Sequence, residues 1–237
     1  MEVSSHSIAL NRIDNVDIDI AVFTNLTEEH LDFHGDIDTY FKTKLKLFKN
    51  LESDKISIIN NDDSYSRKIK KYTKSKVVTY GFSEDSDIYP EDIVMSLDGS
   101  KFYINYSNEK FKVNTNLIGD FNISNILASI LVCHNIGLNI KNIIKAINNF
   151  NSVPGRCQIY NKKNGGSIIV DYAHTPDAFQ KILSTIKNIN SKKEIITLFG
   201  CGGDRDKSKR PVMAKISENF SKKTIITNDN PRYENPE

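Results

Sequence analysis

Four polar clusters in this chain have the residue types and spacing to do chemistry. The first is TLFGCGGDRDKSKRPVM, Thr197–Met213, in which an apolar run ends in three glycines and a charged segment. Glycines after a strand permit close backbone approach to a ligand, and Arg205, Lys207, Lys209 and Arg210 favour an anionic one. A phosphate loop of the form GxxxxGK[ST] occurs nowhere in the sequence, and neither does GxGxxG. The loop therefore reads equally as an anion site or as a tight turn with solvated charges. The second cluster, NLTEEHLDFHGD, gathers Glu28, Glu29, His30, Asp32, His34 and Asp36. Carboxylates and imidazoles converging after a strand suit a divalent cation, although such a loop also serves to cap a helix. His30 and His34 have the i, i+4 spacing of a helical metal pair, but Gly35 interrupts it. The third, VDYAHTPD, places Asp171 at a strand end with His174 and Asp177 nearby, fit for ribose hydroxyls, a metal-bound water or a helix cap. The fourth, NDNPR, sets Asp229, Asn230 and Arg232 around Pro231. An arginine there can fork onto a carboxylate, or the segment is an ordinary turn.

Elements must position these clusters. Asp19–Leu26 is an apolar, β-branched run and predicts a buried strand ending at the second cluster. DIDTYFKTKLKLFKNL has helical spacing in Ile37, Tyr40, Phe41, Leu45 and Phe48, with Asp36 or Asp38 as its cap. Lys42, Lys44 and Lys46 on that helix cannot all share one side, so at least one turns toward the preceding loop. KISIINND and KVVTYGF predict two more strands separated by a polar helix, which argues for parallel pairing. From Ile88 to Leu117 the pattern changes to short alternating runs divided by LDGS and SNEK, an antiparallel meander. Two helices follow, NISNILASILVCHNIGL and NIKNIIKAINNF. NSVPGR marks a domain boundary, placed at 153/154. Beyond it CQIY, SIIVDYA, EIITLFG and KTIITN predict strands, and PDAFQKILSTIKNI and PVMAKISENF predict helices. The fold class is thus α/β, with a Rossmann-like second domain. Its three polar clusters are expected at the carboxyl edge of one sheet, where open parallel sheets bind ligands.

The composition is that of a globular protein, 38% hydrophobic and 26% charged with a formal net charge of +2. Neither nucleic-acid binding nor insertion into a membrane is expected from it. Cys133, Cys157 and Cys201 lack metal-type spacing and read as reduced thiols of a cytoplasmic protein.

Taken in order, MEVSSHSIALNR, FTNLTEEHLDFHGDIDTYFKTK, GDFNISN, GRCQIY, VDYAHTPDAFQKIL, FGCGGDRDKSKRP and NDNPR resemble the Mur ligase family over nearly the whole chain. The resemblance implies an ATP-dependent amide ligase of peptidoglycan synthesis. Its substrates would be ATP, UDP-N-acetylmuramoyl-dipeptide and, from the DNPR motif, meso-diaminopimelate. It implies Mg2+ held by Glu2, His30 and Lys44, the lysine acting as a carbamate, with Lys44 and His30 as the catalytic pair. Ser4 and Arg12 match positions that contact the UDP-muramoyl substrate; Leu10 departs from a pattern in which glutamine can occur. Asn122, Arg156 and Asp171 match ATP-site positions. Arg205, Asp229, Asn230, Pro231 and Arg232 match the amino-acid site, where an arginine reads the second carboxylate that lysine lacks.

The same resemblance implies an incomplete chain. Residues 1–153 correspond to part of a central ATP-binding domain without its phosphate loop, and residues 154–237 to the first half of a C-terminal domain. Such a chain is expected to be inactive alone, since phosphoryl transfer rests on positioning and charge stabilisation. The alternatives are a non-catalytic binding module, a lysine-adding Mur ligase or a related amide ligase.

Overall fold

The computed structural model describes residues 1–27, 29–162 and 165–235. They form two compact units. One comprises Met1–Ile93, Lys101–Asn114 and Phe121–Asn149; the other comprises Val94–Ser100, Thr115–Asp120 and Phe150–Glu237.

The first unit begins with a short helix that the sequence patterns did not single out, α1 (Ser5–Ala9), capped by the Ser4 hydroxyl on the Ser7 amide. Next come β1 (Ile20–Phe23), α2 (Leu31–His34) and α3 (Ile37–Lys49). Asp36 caps α3, accepting from the Thr39 amide at 2.7 Å. β2 (Ile56–Asn60), α4 (Ser66–Tyr72) and β3 (Lys76–Tyr80) continue the alternation of strand and helix, and β1, β2 and β3 pair in parallel. Parallel pairing follows from the intervening helices, which return each strand in the same direction. The α3 stripe of Tyr40, Phe41, Leu45 and Phe48 packs on Ala21, Phe23 and Ile59 to form the core beneath the second polar cluster.

The meander is β4 (Ile88–Ser96), β5 (Gly99–Tyr106) and β6 (Glu109–Thr115), joined edge-on to the same six-stranded sheet in sequential order. Connections of two residues can only join antiparallel neighbours. Ser107 and Asn108 both have positive φ, as the tight hairpin between β5 and β6 requires. β4 had no clear sequence signal, because Pro90, Glu91 and Asp92 interrupt its alternation. A single parallel pair, Tyr80 with Ile88, links it to β3. Two helices follow, α5 (Asp120–Asn135), which buries Leu127, Ile130 and Leu131, and α6 (Ile140–Asn148).

The second unit contains β7 (Gln158–Asn161), β8 (Ser167–Val170), α7 (Pro176–Ile189), β9 (Ile196–Phe199), α8 (Lys209–Phe220) and β10 (Lys223–Ile226). β9 and β10 pair in parallel across α8, whereas β7 and β8 form a separate antiparallel hairpin. This corrects the expectation that all three polar clusters sit at one sheet edge: β8, which leads into DYAHTPD, pairs with β7 rather than with β9. Thr175 caps α7 and Pro176 occupies its first turn, where a missing N–H costs nothing. α7 and α8 bury Phe179, Ile182, Leu183, Met213 and Ile216, and Phe179 meets Phe199 of β9 at 4.9 Å. Among the described residues, no helix is long and apolar enough to cross a membrane.

Candidate active site

In the first unit, α1, α2 and α3 bring one cluster of polar side chains together. Of the three alternate lysines of α3, Lys42 and Lys46 are exposed and Lys44 is half-buried. Lys44 Nζ lies 5.3 Å from the centre of the Tyr40 ring. Burial pushes its pKa down, while the nearby carboxylates of Glu29 and Glu2 act in the opposite direction. Burial, with Glu29 adding to it, also pushes the Tyr40 phenol up to about 12. Desolvation of an amine favours its neutral form, the form that reacts with carbon dioxide. The helix period thus selects Lys44 from the three.

His30 precedes α2 in a left-handed conformation, with φ 58°, and its Nε2 lies 3.7 Å from Glu29 Oε1. Its ring meets His6 edge-on at 4.8 Å. His34 points elsewhere. Its Nε2 hydrogen-bonds Ser5 Oγ at 2.9 Å in a buried contact, and its ring stacks on Tyr40. The two histidines therefore do not act as an i, i+4 metal pair; His34 instead ties α1 to α3. Among the described residues, no three His, Cys, Asp or Glu side chains are arranged to hold a metal ion by themselves. Glu28 lies outside the described residues, as does the Asp32 side chain. Glu2 is exposed, and its charge opposes the lowering of the Lys44 pKa. The hydroxyl of Ser4 is engaged as the α1 cap, and Arg12 is exposed three residues beyond that helix.

Of the expected nucleotide residues, Asn122 lies in the first turn of α5, in the first unit. Arg156 and Asp171 belong to the second. The Arg156 guanidinium lies 4.7 Å from the Tyr172 ring centre. Both Asp171 oxygens accept backbone amides, from Cys157 at 2.7 Å and from Ala173 at 2.8 Å. Asp171 is thus fixed in place by the turn it closes. Asp177 is not the cap of α7; it pairs with Lys181 one turn on, at 2.8 Å.

The GCGGDR and DNPR segments meet at the ends of β9 and β10. The Gly203 amide donates to the Asn230 carbonyl at 2.8 Å, and the Arg232 guanidinium donates back to the Gly203 carbonyl. A Cβ on Gly203 would collide with the Pro231 carbonyl. Gly203 therefore makes room for the second loop rather than for a ligand, which corrects the reading of this glycine as ligand clearance. Asp204 and Arg232 both adopt positive φ, 49° and 50°. Strained non-glycine residues persist where surrounding contacts over-determine them. Those contacts centre on Glu234, which the sequence patterns did not single out. Its Oε1 accepts from the Asp204 amide at 2.7 Å, and Arg210 Nη2 donates to both of its oxygens. Beside this latch lies a cleft of about 270 Å³, lined by Cys201, Arg210, Asp229 and Pro231 among others. Arg205 is exposed at the turn and has no ionic or hydrogen-bond partner among the described residues.

This fold has counterparts among known proteins. The chain belongs to the Mur ligase family: residues 1–133 match the Mur ligase middle domain, and residues 155–237 match the Mur ligase glutamate ligase domain. Its relatives include the UDP-N-acetylmuramoyl-L-alanyl-D-glutamate–2,6-diaminopimelate ligases of Clostridium botulinum, 45% identical, and Clostridium tetani, 42% identical. Each match covers all of this chain and 48% of the relative, so the chain spans about half the length of the curated relatives it matches. A solved ligase of the same name superposes with a TM-score of 0.72 at 34% identity, over 99% of this chain and 49% of that one. A MurF ligase from Thermotoga maritima in complex with ADP shares the fold, with a TM-score of 0.72 at 21% identity over 97% of this chain and 56% of that one.

Proposed function

We propose that this chain carries the metal-side and amino-acid-side residues of a cytoplasmic, ATP-dependent ligase that joins meso-diaminopimelate to UDP-N-acetylmuramoyl-L-alanyl-D-glutamate. The observation that carries the reading is the pairing of GCGGDR with DNPR, in a chain 45% identical over its whole length to a relative named for that reaction. Burial lowers the pKa of the half-buried Lys44, and the carboxylates of Glu29 and Glu2 act on it in the opposite direction. This donor chemistry fits Mg2+ once Lys44 becomes a carbamate, which replaces a cationic arm by a further anionic oxygen donor. Glu2, His30 and carbamylated Lys44 would hold the ion, which when bound supplies charge neutralisation at the transferring phosphoryl group.

The reaction proceeds in two transfers. The D-glutamyl carboxylate takes the γ-phosphoryl group of ATP, giving an acyl phosphate and ADP. The amine of diaminopimelate then attacks the acyl carbon, phosphate leaves, and the attacking nitrogen gives up a proton. Ser4 and Arg12 would hold the UDP-muramoyl substrate, and Asn122, Arg156 and Asp171 the nucleotide. Arg205 and Arg232, with Asp229, Asn230 and Pro231, would hold the amino acid: guanidinium groups for the distal carboxylate, the Asp229 carboxylate for an ammonium.

The test is calorimetric titration of the chain with meso-diaminopimelate and with L-lysine. Diaminopimelate should bind at least about tenfold more tightly, because lysine leaves an arginine without its carboxylate. Equal affinity for the two would overturn the amino-acid assignment. Arg232→Ala should erase the preference.

A further inference from the structure

The two loops carry more cations than the reading of one carboxylate needs. Arg205, Lys207, Lys209 and Arg210 lie within six positions, and Arg232 joins them from the second loop. Left uncompensated, this group would attract any small anion and repel the ammonium groups of an amino acid. The structure sorts these charges. Lys209 Nζ donates to the His174 carbonyl at 2.8 Å, away from the loop pair. Lys207 lies 3.4 Å from Glu234, and Arg210 binds both Glu234 oxygens at 3.0 and 2.8 Å. Glu234 sits two residues past Arg232, on the continuation of the same turn, and its own amide donates to the Pro231 carbonyl. Asp204 completes the exchange: its amide donates to Glu234 while its carboxylate accepts from the Tyr233 amide at 3.0 Å.

We propose that Glu234 is a positioning and specificity residue of the amino-acid site. Its carboxylate latches the DNPR turn onto the glycine loop and neutralises Arg210 and Lys207, so that Arg205 and Arg232 are the cations that meet the ligand. This rests on the amino-acid reading given above. It assigns two distinct tasks to one side chain, and two substitutions separate them. Glu234→Gln keeps an oxygen for the Asp204 amide but removes the charge. Glu234→Ala removes both.

The experiment combines amide hydrogen exchange with calorimetry on the whole chain, using inorganic phosphate and meso-diaminopimelate as probes. In Glu234→Ala, exchange at Gly203, Asp204 and Tyr233 should rise by about tenfold or more, because the contacts holding the two turns together are lost. In Glu234→Gln, phosphate should bind about tenfold more tightly and diaminopimelate about tenfold more weakly, because two cations are released. Adding Arg210→Gln to Glu234→Gln should return phosphate affinity toward that of the unmodified chain, a result a purely structural role does not produce. Unchanged exchange in Glu234→Ala overturns the latch, and unchanged phosphate binding in Glu234→Gln overturns the charge assignment. If both effects appear while diaminopimelate binds to no variant, the substrate reading falls and the role of Glu234 stands.

Discussion

Lys44 and Glu234 are both charged side chains whose behaviour is set by what surrounds them. Lys44 is desolvated beside Tyr40, so a larger share of it is neutral at a given pH than of an ordinary lysine. With 13C-labelled bicarbonate at mildly alkaline pH, a carbamate resonance should appear that Lys44→Arg abolishes and Lys42→Arg leaves in place. A signal indifferent to Lys44→Arg would refute its role as the carbamate. Glu234 is shifted by the hydrogen bond from Arg210 first and the Asp204 amide second, which hold its carboxyl at about 2 against an ordinary 4.5. A carboxylate depressed in the folded state contributes stability above its unfolded pKa and loses it as pH falls through the folded value. The latch should therefore persist at pH 5 and open between about 4.5 and 2. The Asp204 amide shift, followed by NMR on acidification, reports it. A midpoint at the ordinary glutamate value would show that Arg210 does not hold the carboxylate in solution.

At the scale of elements, two joints are exposed to single substitutions. Thr175 caps α7 through the Ala178 amide, and Thr175→Ala should cost about 1 kcal/mol in chemical denaturation. Gly203 gives a different kind of constraint, since any Cβ there meets the Pro231 backbone. Gly203→Ala should separate the two turns, weakening diaminopimelate binding by about tenfold or more while far-ultraviolet circular dichroism is unchanged. Retained affinity would show that the loop pair adapts without cost. The amphipathic elements were the most legible in the sequence: α7 spans Pro176–Ile189, as its cap and apolar spacing predict. α1 and β4 were not, because five residues are too few for a period to show, and Pro90 with its acidic neighbours breaks the alternation of β4.

For the molecule as a whole, the second unit leaves apolar surface in contact with solvent. α7 and α8 pack on the side of β9 and β10 that carries Thr197, Phe199 and Thr224, and on the other side Ile196, Leu198 and Ile225 remain 66%, 65% and 37% exposed. Strands with open edges and exposed apolar side chains are association hazards. The chain should scatter light increasingly with concentration, and Leu198→Lys together with Ile196→Thr should suppress this. Concentration-independent scattering by the unmodified chain would count against the exposed face as its cause.

The sequence by itself determined the α/β alternation apart from α1 and β4, the parallel pairing of β1 to β3, the hairpin turns of the meander and the four polar clusters. These depend on local periodicity, turn chemistry and residue type, all of which act over short separations. Periodicity narrowed the inward lysine of α3 to a choice among three, and the family resemblance pointed to Lys44. Only the tertiary structure turned His34 onto Ser5, placed β8 in a hairpin apart from β9, and brought Glu234 to Arg210 across 24 positions. Such choices depend on which distant surfaces meet, and no local pattern encodes that. The glycines after β9 make the difference concrete. In the sequence they mark a close approach of some kind, and in the fold the group approaching Gly203 is the protein's own Pro231.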